Sequence, residues 1–188
     1  MKRRNARGAI ARASAWKNGA TKAPHAGGVK RGESGAPGEL RGILTEEAIG
    51  DVSLNTDCGV FGRIGGEKIR AYPREAAIPI AAREEVHEGA AVIRSTLKNG
   101  RTAEYSIRIE EIDRASDGAK SFRIRVDDPA LLAITGGIVR GMSGSPILQD
   151  GKLVGAVTHV MINDPTAGYG IFLDNMLQAA QNTQASAA

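Results

Sequence analysis

Two short apolar segments joined by a turn stand out near the carboxyl end of the chain. They are Pro146-Ile-Leu-Gln149 and Lys152-Leu-Val-Gly-Ala-Val-Thr-His-Val160, on either side of Asp150-Gly151. Asp-Gly favours a two-residue hairpin turn, because type I′ turns need a positive φ at both central positions. The stretch therefore predicts an antiparallel β-hairpin.

Similar apolar runs recur upstream, each bounded by turn residues. Asn99-Gly100 lies between Ala91–Leu97 and Thr102–Ile109 and predicts a second hairpin. Ser121–Val126 alternates apolar and charged residues with the period of two that is typical of a half-buried strand. Further candidate strands are Gly59–Ile64, Lys68–Tyr72, Ala77–Ala81 and Gly170–Leu173, and Asp174–Gln181 is a candidate terminal helix. Strands spaced about every 8–12 residues predict an all-β fold, either a barrel or a sandwich.

The composition supports a globular domain. The 188 residues include 24 glycines, 41% hydrophobic, 24% charged and 4% aromatic residues, a balance that argues against a disordered chain. The longest charge-free, mostly apolar runs, Pro129–Val139 and Leu153–Asn163, are far shorter than the roughly 20 residues of a membrane-spanning helix. Because Cys58 is the only cysteine, the chain can form neither an intrachain disulfide nor a multi-cysteine metal site. We expect no cofactor and no metal ion.

Positive charge is concentrated at the amino end. Residues 1–41 carry a net charge of +8, whereas the rest of the chain carries −4. Residues 1–28 show no sustained periodicity, so we expect a basic, disordered arm over 1–28, a β domain over 29–182 and a tail over 183–188. A basic arm can bind nucleic acid or an anionic membrane. This arm has no RNA-binding aromatic motif, and we expect a solvated tail rather than a nucleic-acid partner.

A serine lies between glycines directly before the predicted hairpin, in Gly136-Gly-Ile-Val-Arg-Gly-Met-Ser-Gly-Ser-Pro146. Acyl transfer needs a loop of this kind, in which the nucleophile stands clear of the backbone and two N–H groups point at the developing oxyanion. Glycines let the backbone turn those N–H groups inward at low steric cost. Ser143 is therefore the candidate nucleophile, with the N–H groups of Gly141 and Ser143 as the oxyanion hole. The alternative is a glycine-rich turn whose serine only bonds the loop.

The serine loop and the hairpin together resemble the sporulation stage IV B serine peptidase family of endospore-forming bacteria. The matching segments are Gly141-Met-Ser-Gly-Ser-Pro146, Gly155-Ala-Val-Thr-His-Val160, Asn163-Asp-Pro-Thr166, Gly35-Ala-Pro-Gly-Glu-Leu-Arg-Gly42 and Asn55–Gly62, within a resemblance from about Val29 to Leu177. The resemblance implies a chymotrypsin-like antiparallel β-barrel endopeptidase. Its implied substrate is a protein, the regulatory subunit of a membrane-embedded metalloprotease. Its implied location is the space between the mother-cell and forespore membranes.

The resemblance also suggests the acid of a catalytic triad. It assigns this role to Asp128, with Asp127 as the fallback. Such an aspartate holds the imidazole of the base in the right tautomer and stabilises its charged form. Taken without the resemblance, Asp128 is better explained as a surface acid in the loop after a strand.

The base is the point at which this sequence departs from the family pattern. The family's catalytic histidine lies in a Gly-His-Gly motif upstream of the Gly-x-Pro-Gly-Glu-Leu segment, and this sequence contains no Gly-His-Gly. The family's membrane anchor and PDZ domain have no counterpart here either. We therefore expect a chain that begins partway into the peptidase domain, with an incomplete first barrel.

Three histidines remain as candidate bases. His25 lies only ten residues before Gly35 and does not fit the family spacing, and His87 lies on a polar turn. His159 lies on the second strand of the hairpin, where it could face the cleft as a base or as a substrate-binding group. Without a base, Ser143 is a weak nucleophile. The sequence thus leaves two main functions open, a serine endopeptidase and an inactive remnant that only binds a peptide or protein.

Overall fold

The computed structural model of the chain describes residues 20–64, 76–97 and 102–185. These residues form nine strands, two α-helices and one 3₁₀ turn over Arg83–Glu85. The strands are β1 (Ala20–Lys30), β2 (Glu39–Thr56), β3 (Gly59–Ile64), β4 (Gly89–Thr96), β5 (Thr102–Ile112), β6 (Phe122–Val126), β7 (Pro146–Gln149), β8 (Lys152–Met161) and β9 (Asp164–Phe172). The helices are α1 (Pro129–Thr135) and α2 (Leu173–Ala185).

Six of the strands close into an antiparallel barrel, in the order β4-β5-β6-β9-β8-β7. Strand β6 shows why the chain folds this way: Phe122, Ile124 and Val126 are buried, and the two arginines between them point away from the core. Burying one face of an alternating strand removes apolar surface from water, and closure gives each of the six strands a neighbour on both sides over at least part of its length. The predicted all-β fold with an antiparallel barrel is confirmed.

The amino-terminal strands form a second, separate sheet. Strands β1, β2 and β3 pair antiparallel in chain order, and this three-stranded sheet is open within the described residues. Strand β1 begins at Ala20, so it crosses the boundary between arm and β domain that composition suggests at residue 28. The first residues of β1 therefore form a strand because their backbone pairs with β2, although their local sequence pattern does not predict one.

The hairpin over β7 and β8 forms as its sequence predicts. Asp150 and Gly151 have φ values of 51° and 73°, the left-handed pair that a type I′ turn requires. The strand bounds Gly59–Ile64 and Pro146–Gln149 are also confirmed. The turn at Asn99-Gly100 and the candidate strand Lys68–Tyr72 lie outside the described residues.

One predicted strand is wrong. Ala77–Ala81 forms only an isolated parallel bridge between Ile80 and Leu153. Pro79 lacks an N–H group and contributes only its carbonyl, which accepts from the Leu153 N–H at 2.8 Å. The segment is therefore extended without joining the barrel as a strand.

The connection between β6 and β7 covers one end of the barrel, which we call the serine end. Strands β6 and β8 finish at this end, and β7 and β9 begin there. Three side chains from the connection, Leu131, Ile138 and Met142, are no more than 1% exposed and belong to the main core. The loop that carries Ser143 is thus attached to the barrel core by these three buried side chains.

Candidate active site

Ser143 lies in a tight loop whose conformation depends on two glycines. Gly141 and Gly144 have φ values of 92° and 84°, in the region that L side chains rarely adopt. Met142 between them is fully buried, whereas Ser143 is exposed. The Met142 N–H donates to the Val139 carbonyl at 3.1 Å. The buried methionine therefore anchors the loop and leaves the serine hydroxyl at the surface.

The residues that follow Ser143 bind the loop to strand β8 through backbone hydrogen bonds. The Gly144 N–H donates to the Val157 carbonyl at 2.7 Å, and the Val157 N–H donates to the Ser145 carbonyl at 2.9 Å. The Ser143 hydroxyl donates to the Thr158 carbonyl at 2.7 Å. In this conformation the hydroxyl proton is directed at a backbone oxygen and not at a base.

The two N–H groups that the sequence assigns to an oxyanion hole are available. Within the described part of the chain, neither the Gly141 N–H nor the Ser143 N–H donates a hydrogen bond. A Cβ at position 141 would come within 3.1 Å of the Leu40 Cβ, so space as well as φ favours glycine there. The geometry is compatible with the predicted oxyanion hole at Gly141 and Ser143.

Residues Gly32–Leu40, which we call the strap, connect the amino-terminal sheet to the serine end. The Leu40 N–H donates to the Arg140 carbonyl at 2.8 Å, and the Arg140 N–H donates to the Gly38 carbonyl at 2.9 Å. At the other side, the Gly35 N–H donates to the Ile162 carbonyl at 2.9 Å. The strap thus holds both the serine loop and the tip between β8 and β9. Its sequence does not predict this role.

Asp128 has a structural task in addition to its predicted catalytic one. Its Oδ1 accepts from the Leu131 N–H at 2.8 Å, which makes it the N-cap of α1, and its Oδ2 accepts from the Ser106 N–H of β5 at 3.1 Å. It follows β6 and so lies at the serine end, as Ser143 does, but the two side chains do not bond each other. Asp128 as the triad acid stays a prediction. Its neighbour Asp127 is exposed.

The three candidate histidines lie in different parts of the structure. His87 lies at the opposite end of the barrel, where its Nε2 is 2.8 Å from Asp150 Oδ2 and its Nδ1 is 2.9 Å from the Glu88 carbonyl oxygen. The hydrogen bond to the Glu88 carbonyl, and then Asp150, raise the pKa of His87. His25 lies on β1 opposite Ile43. His159 is exposed on β8, directly after Thr158. No described histidine side chain bonds Ser143.

An ion-paired cluster at the start of β9 was not foreseen from the sequence. One Arg125 guanidinium nitrogen lies 3.0 Å from Asp164 Oδ2 and 3.1 Å from the Thr166 hydroxyl. The Thr166 hydroxyl and then Arg125 lower the pKa of Asp164. Between them, the Pro165 carbonyl accepts from the Ile138 N–H at 2.7 Å, so the cluster steadies the serine loop. Because 39 residues separate Arg125 from Asp164, no local sequence pattern predicts this contact.

The sequence model of one peptidase family matches almost the whole described chain. The model is that of SpoIVB peptidase S55, and it matches residues 10–177. The chain belongs to the SpoIVB peptidase S55 family. Family membership establishes a serine peptidase in the general sense, with protein as the implied kind of substrate.

Solved structures with a similar arrangement come from a mycobacterial protease. The Rv3671c protease of M. tuberculosis in its inactive form has a TM-score of 0.47 and 14% identity, over 76% of this chain and 68% of that one. Its active form has a TM-score of 0.46 and 15% identity, over 73% of this chain and 60% of that one. No curated protein matches the chain significantly. Among the described residues, no helix has the length and apolar character to cross a membrane.

Proposed function

We propose that this S55 family member is a serine endopeptidase of the sporulation signalling type, with Ser143 as the nucleophile. The observation that carries the proposal is the serine loop. Ser143 is exposed between two glycines of left-handed conformation, and the N–H groups of Gly141 and Ser143 donate no hydrogen bond to any residue that the structure describes. Preorganised donors of this kind stabilise the charge that develops in the transition state, and losing one typically costs about 10²–10³ in rate.

The residues present support the following chemistry. The Ser143 Oγ attacks the scissile carbonyl carbon, and the carbonyl oxygen becomes an oxyanion that accepts from the N–H groups of Gly141 and Ser143. Collapse of this intermediate breaks the peptide C–N bond, the nitrogen takes up the proton that the serine hydroxyl lost and leaves as the amine product, and an acyl group remains on Ser143. Water then hydrolyses the ester. The oxyanion donors act in both steps without any change of loop conformation.

Removal of the proton from the Ser143 hydroxyl is the step for which the described residues offer least support. A general base must take the Ser143 hydroxyl proton, and a positioned base contributes typically 10²–10⁴-fold. His159 directly follows Thr158 on β8, and the Thr158 carbonyl accepts from the Ser143 hydroxyl. We keep Asp128 as the candidate acid and His159 as a candidate base or substrate-binding group, and we expect slow turnover.

The substrate and the setting are carried over from the family resemblance. We propose as substrate a regulatory protein, the regulatory subunit of a membrane-embedded metalloprotease. The proposed location is the space between the mother-cell and forespore membranes. The exposed position of Ser143 supports a protein substrate, because an extended peptide can approach it without opening the barrel.

A second function, peptide or protein binding without turnover, is favoured by one observation. The Ser143 hydroxyl is bonded to the Thr158 carbonyl, and no described histidine side chain bonds it. A neutral serine hydroxyl without a base is a poor nucleophile near neutral pH. The oxyanion hole and the free edge of β8 would then serve binding alone.

Serine-directed labelling separates the two functions. The chain is treated with a fluorophosphonate, the modified residue is located by mass spectrometry, and hydrolysis of a fluorogenic peptide library is followed in parallel. An endopeptidase is modified at Ser143 and hydrolyses peptides, and Ser143→Ala abolishes both. Ser145→Ala, which changes the neighbouring serine, is the matched control and should leave both intact. Peptide binding with neither labelling nor hydrolysis would support the binding module instead.

A further inference from the structure

The Gly141 N–H, one of the two candidate oxyanion donors, belongs to the same peptide group as the Arg140 carbonyl. This peptide bond is trans, since the described residues contain no cis peptide bond. A trans peptide group is planar, so its C=O and its N–H point in opposite directions and turn only together. Any group that holds the Arg140 carbonyl therefore also sets the direction of the Gly141 N–H.

The strap holds this carbonyl through a single backbone group. The Leu40 N–H donates to the Arg140 carbonyl at 2.8 Å, so the Gly141 N–H points away from the strap. A second hydrogen bond, from the Arg140 N–H to the Gly38 carbonyl at 2.9 Å, holds the other side of the same residue. Together the two bonds pair Arg140 with Glu39 in a parallel bridge.

The strap is itself anchored, so the Leu40 N–H has a fixed position. Leu40 is half-buried, and its side chain packs against the main core cluster. A Cβ built at position 141 would lie 3.1 Å from the Leu40 Cβ, so the strap and the serine loop are closely packed here. At its first residue the strap is held by the Gly32 N–H, which donates to the Thr135 carbonyl at 2.8 Å. The bond to Arg140 is therefore part of a fixed contact with the barrel.

No other hydrogen bond among the described residues sets the direction of this peptide group. The Arg140 carbonyl accepts only from Leu40 there, and the Gly141 N–H donates to none of these residues. Gly141 has a φ of 92°, and glycine adopts other φ values at low steric cost. Because Gly141 is exposed, water can satisfy both groups in another orientation. Without the Leu40 N–H, the peptide group is free to turn.

We propose that the Leu40 backbone N–H is a positioning group for the oxyanion hole: by binding the Arg140 carbonyl, it directs the Gly141 N–H at the substrate oxyanion. Leu40 acts through Gly141 and does not itself touch the substrate. The proposal rests on the proposed function, because it takes the Gly141 N–H as an oxyanion donor. Losing one such donor typically costs about 10²–10³ in rate, which sets the largest effect that removal of the Leu40 N–H can have.

The test uses the whole chain and two labelled peptides that differ only at the carboxyl end, where one carries a boronic acid and the other an amide. The Ser143 Oγ adds to the trigonal boron, an O–B bond forms, the hydroxyl proton passes to solvent and the boronate becomes a tetrahedral anion. This anion needs the oxyanion donors, whereas the amide binds without reacting. Dissociation constants are measured by fluorescence anisotropy, and their ratio isolates the contribution of the oxyanion hole.

Two changes remove the Leu40 N–H. Leu40→Pro removes it together with a change of ring, and an ester in place of the Leu40 amide removes it by changing one atom. Both should weaken binding of the boronic acid by at least about tenfold, within the 10²–10³-fold of a lost donor, and leave binding of the amide unchanged. Circular dichroism checks that each variant is folded, and the ester covers the case in which Leu40→Pro is not.

Two matched controls keep the Leu40 N–H. Leu40→Ala changes the same residue and should bind both peptides as the unchanged chain does. An ester in place of the Gly35 amide removes another hydrogen bond of the strap, the one to the Ile162 carbonyl, without touching Arg140. It should also leave the ratio of the two affinities unchanged. A loss in this control as large as that at Leu40 would overturn the assignment to the Leu40 N–H.

The other outcomes separate this proposal from the proposed function. Full affinity for the boronic acid in the Leu40 ester overturns the positioning role and leaves Ser143 as the nucleophile. Equal losses for the boronic acid and the amide also overturn it, because a purely structural role weakens both. A preference for the boronic acid that persists undiminished in Ser143→Ala overturns Ser143 as the attacking residue. A boronic acid that binds the unchanged chain no better than the amide overturns both proposals.

Discussion

The barrel and the amino-terminal sheet of this protein differ in how completely they are packed. The barrel closes on itself, and every described hydrophobic residue that is fully buried belongs to residues 81–173. In the sheet, the described side chains of β3 are half-buried or exposed. Within the described residues, the outer edges of its two flanking strands, β1 and β3, pair with no further strand. The candidate nucleophile and the candidate oxyanion donors belong to the packed part.

This contrast explains which parts of the candidate site are well formed. The serine loop is anchored by buried core side chains and by β8, so its N–H groups are held in place without a substrate. The sheet contributes the strap, which holds the loop through backbone hydrogen bonds. A rigid element is the better support for a site that must be preorganised. The barrel therefore holds the candidate oxyanion donors in place, whereas no described histidine side chain bonds the Ser143 hydroxyl.

The largest expected effect compares one phenylalanine from each region. Phe122 is 2% exposed and its ring centroid lies 5.3 Å from that of Phe172, whereas Phe61 on β3 is half-buried. Phe122→Ala should lower the free energy of unfolding by about 3–5 kcal/mol. Phe61→Ala should lower it by about 1 kcal/mol. Urea unfolding curves measure both, and equal losses would contradict the contrast between the regions.

The next effect concerns the two roles of Asp128. As the N-cap of α1, it should cost about 0.5–2 kcal/mol of stability when replaced by alanine and little when replaced by asparagine, which caps nearly as well. As a triad acid, it would instead be sensitive to asparagine, because the tautomer of the base would be lost. Urea unfolding and fluorophosphonate labelling of Asp128→Ala and Asp128→Asn separate the roles. A stability loss in Asp128→Asn as large as that in Asp128→Ala would refute the capping role.

A smaller effect is the pH dependence of stability that His87 contributes at the barrel end opposite Ser143. The Glu88 carbonyl and Asp150 raise the pKa of His87, so the contact between His87 and the β7–β8 hairpin stabilises the fold fully below the ordinary histidine pKa and is lost as pH rises through the raised one. Proton NMR titration should place the pKa of His87 above the usual value of about 6.5. Asp150→Asn should bring it down only in part, since the Glu88 carbonyl remains. A pKa at or below the usual value would show that the contact does not form.

The smallest effect tests the packing of the serine loop. Ser145 is 2% exposed, and within the described residues its hydroxyl has no hydrogen-bond partner. Because burying an unpaired hydroxyl is unfavourable, Ser145→Ala should leave the free energy of unfolding unchanged or raise it by up to about 1 kcal/mol. A clear loss of stability in a urea titration would reveal a partner that the structure lacks.

The sequence was most informative for the barrel. Alternation in β6 and the Asp150-Gly151 turn each follow from local rules, namely period-two burial and positive φ, and both appear in the structure. Helix α1 was missed, because its start depends on an Asp128 cap and its end on Gly136 in a left-handed conformation, within an apolar run that also suits a strand. Strand β1 was missed for a different reason, since long-range pairing with β2 and not local periodicity forms it.

The candidate site was predictable only where it is local. The serine loop is contiguous, so its glycines and Ser143 could be identified from spacing alone. The strap contacts and the Arg125–Asp164 pair join residues that are 30 or more positions apart. No pattern within a short window encodes such contacts, because tertiary packing determines them.

The measurement that tests the central claim most directly is chemical rescue of Ser143 by free imidazole. The claim is our proposal that the N–H groups of Gly141 and Ser143 form an oxyanion hole beside an exposed serine that no described histidine side chain contacts. Fluorophosphonate labelling at Ser143 should be slow in buffer and should rise about tenfold or more with added imidazole, part of the 10²–10⁴-fold that a positioned base contributes. Ser143→Ala should show no labelling under either condition. Fast labelling without imidazole that disappears in His159→Ala would contradict the claim and make His159 the working base.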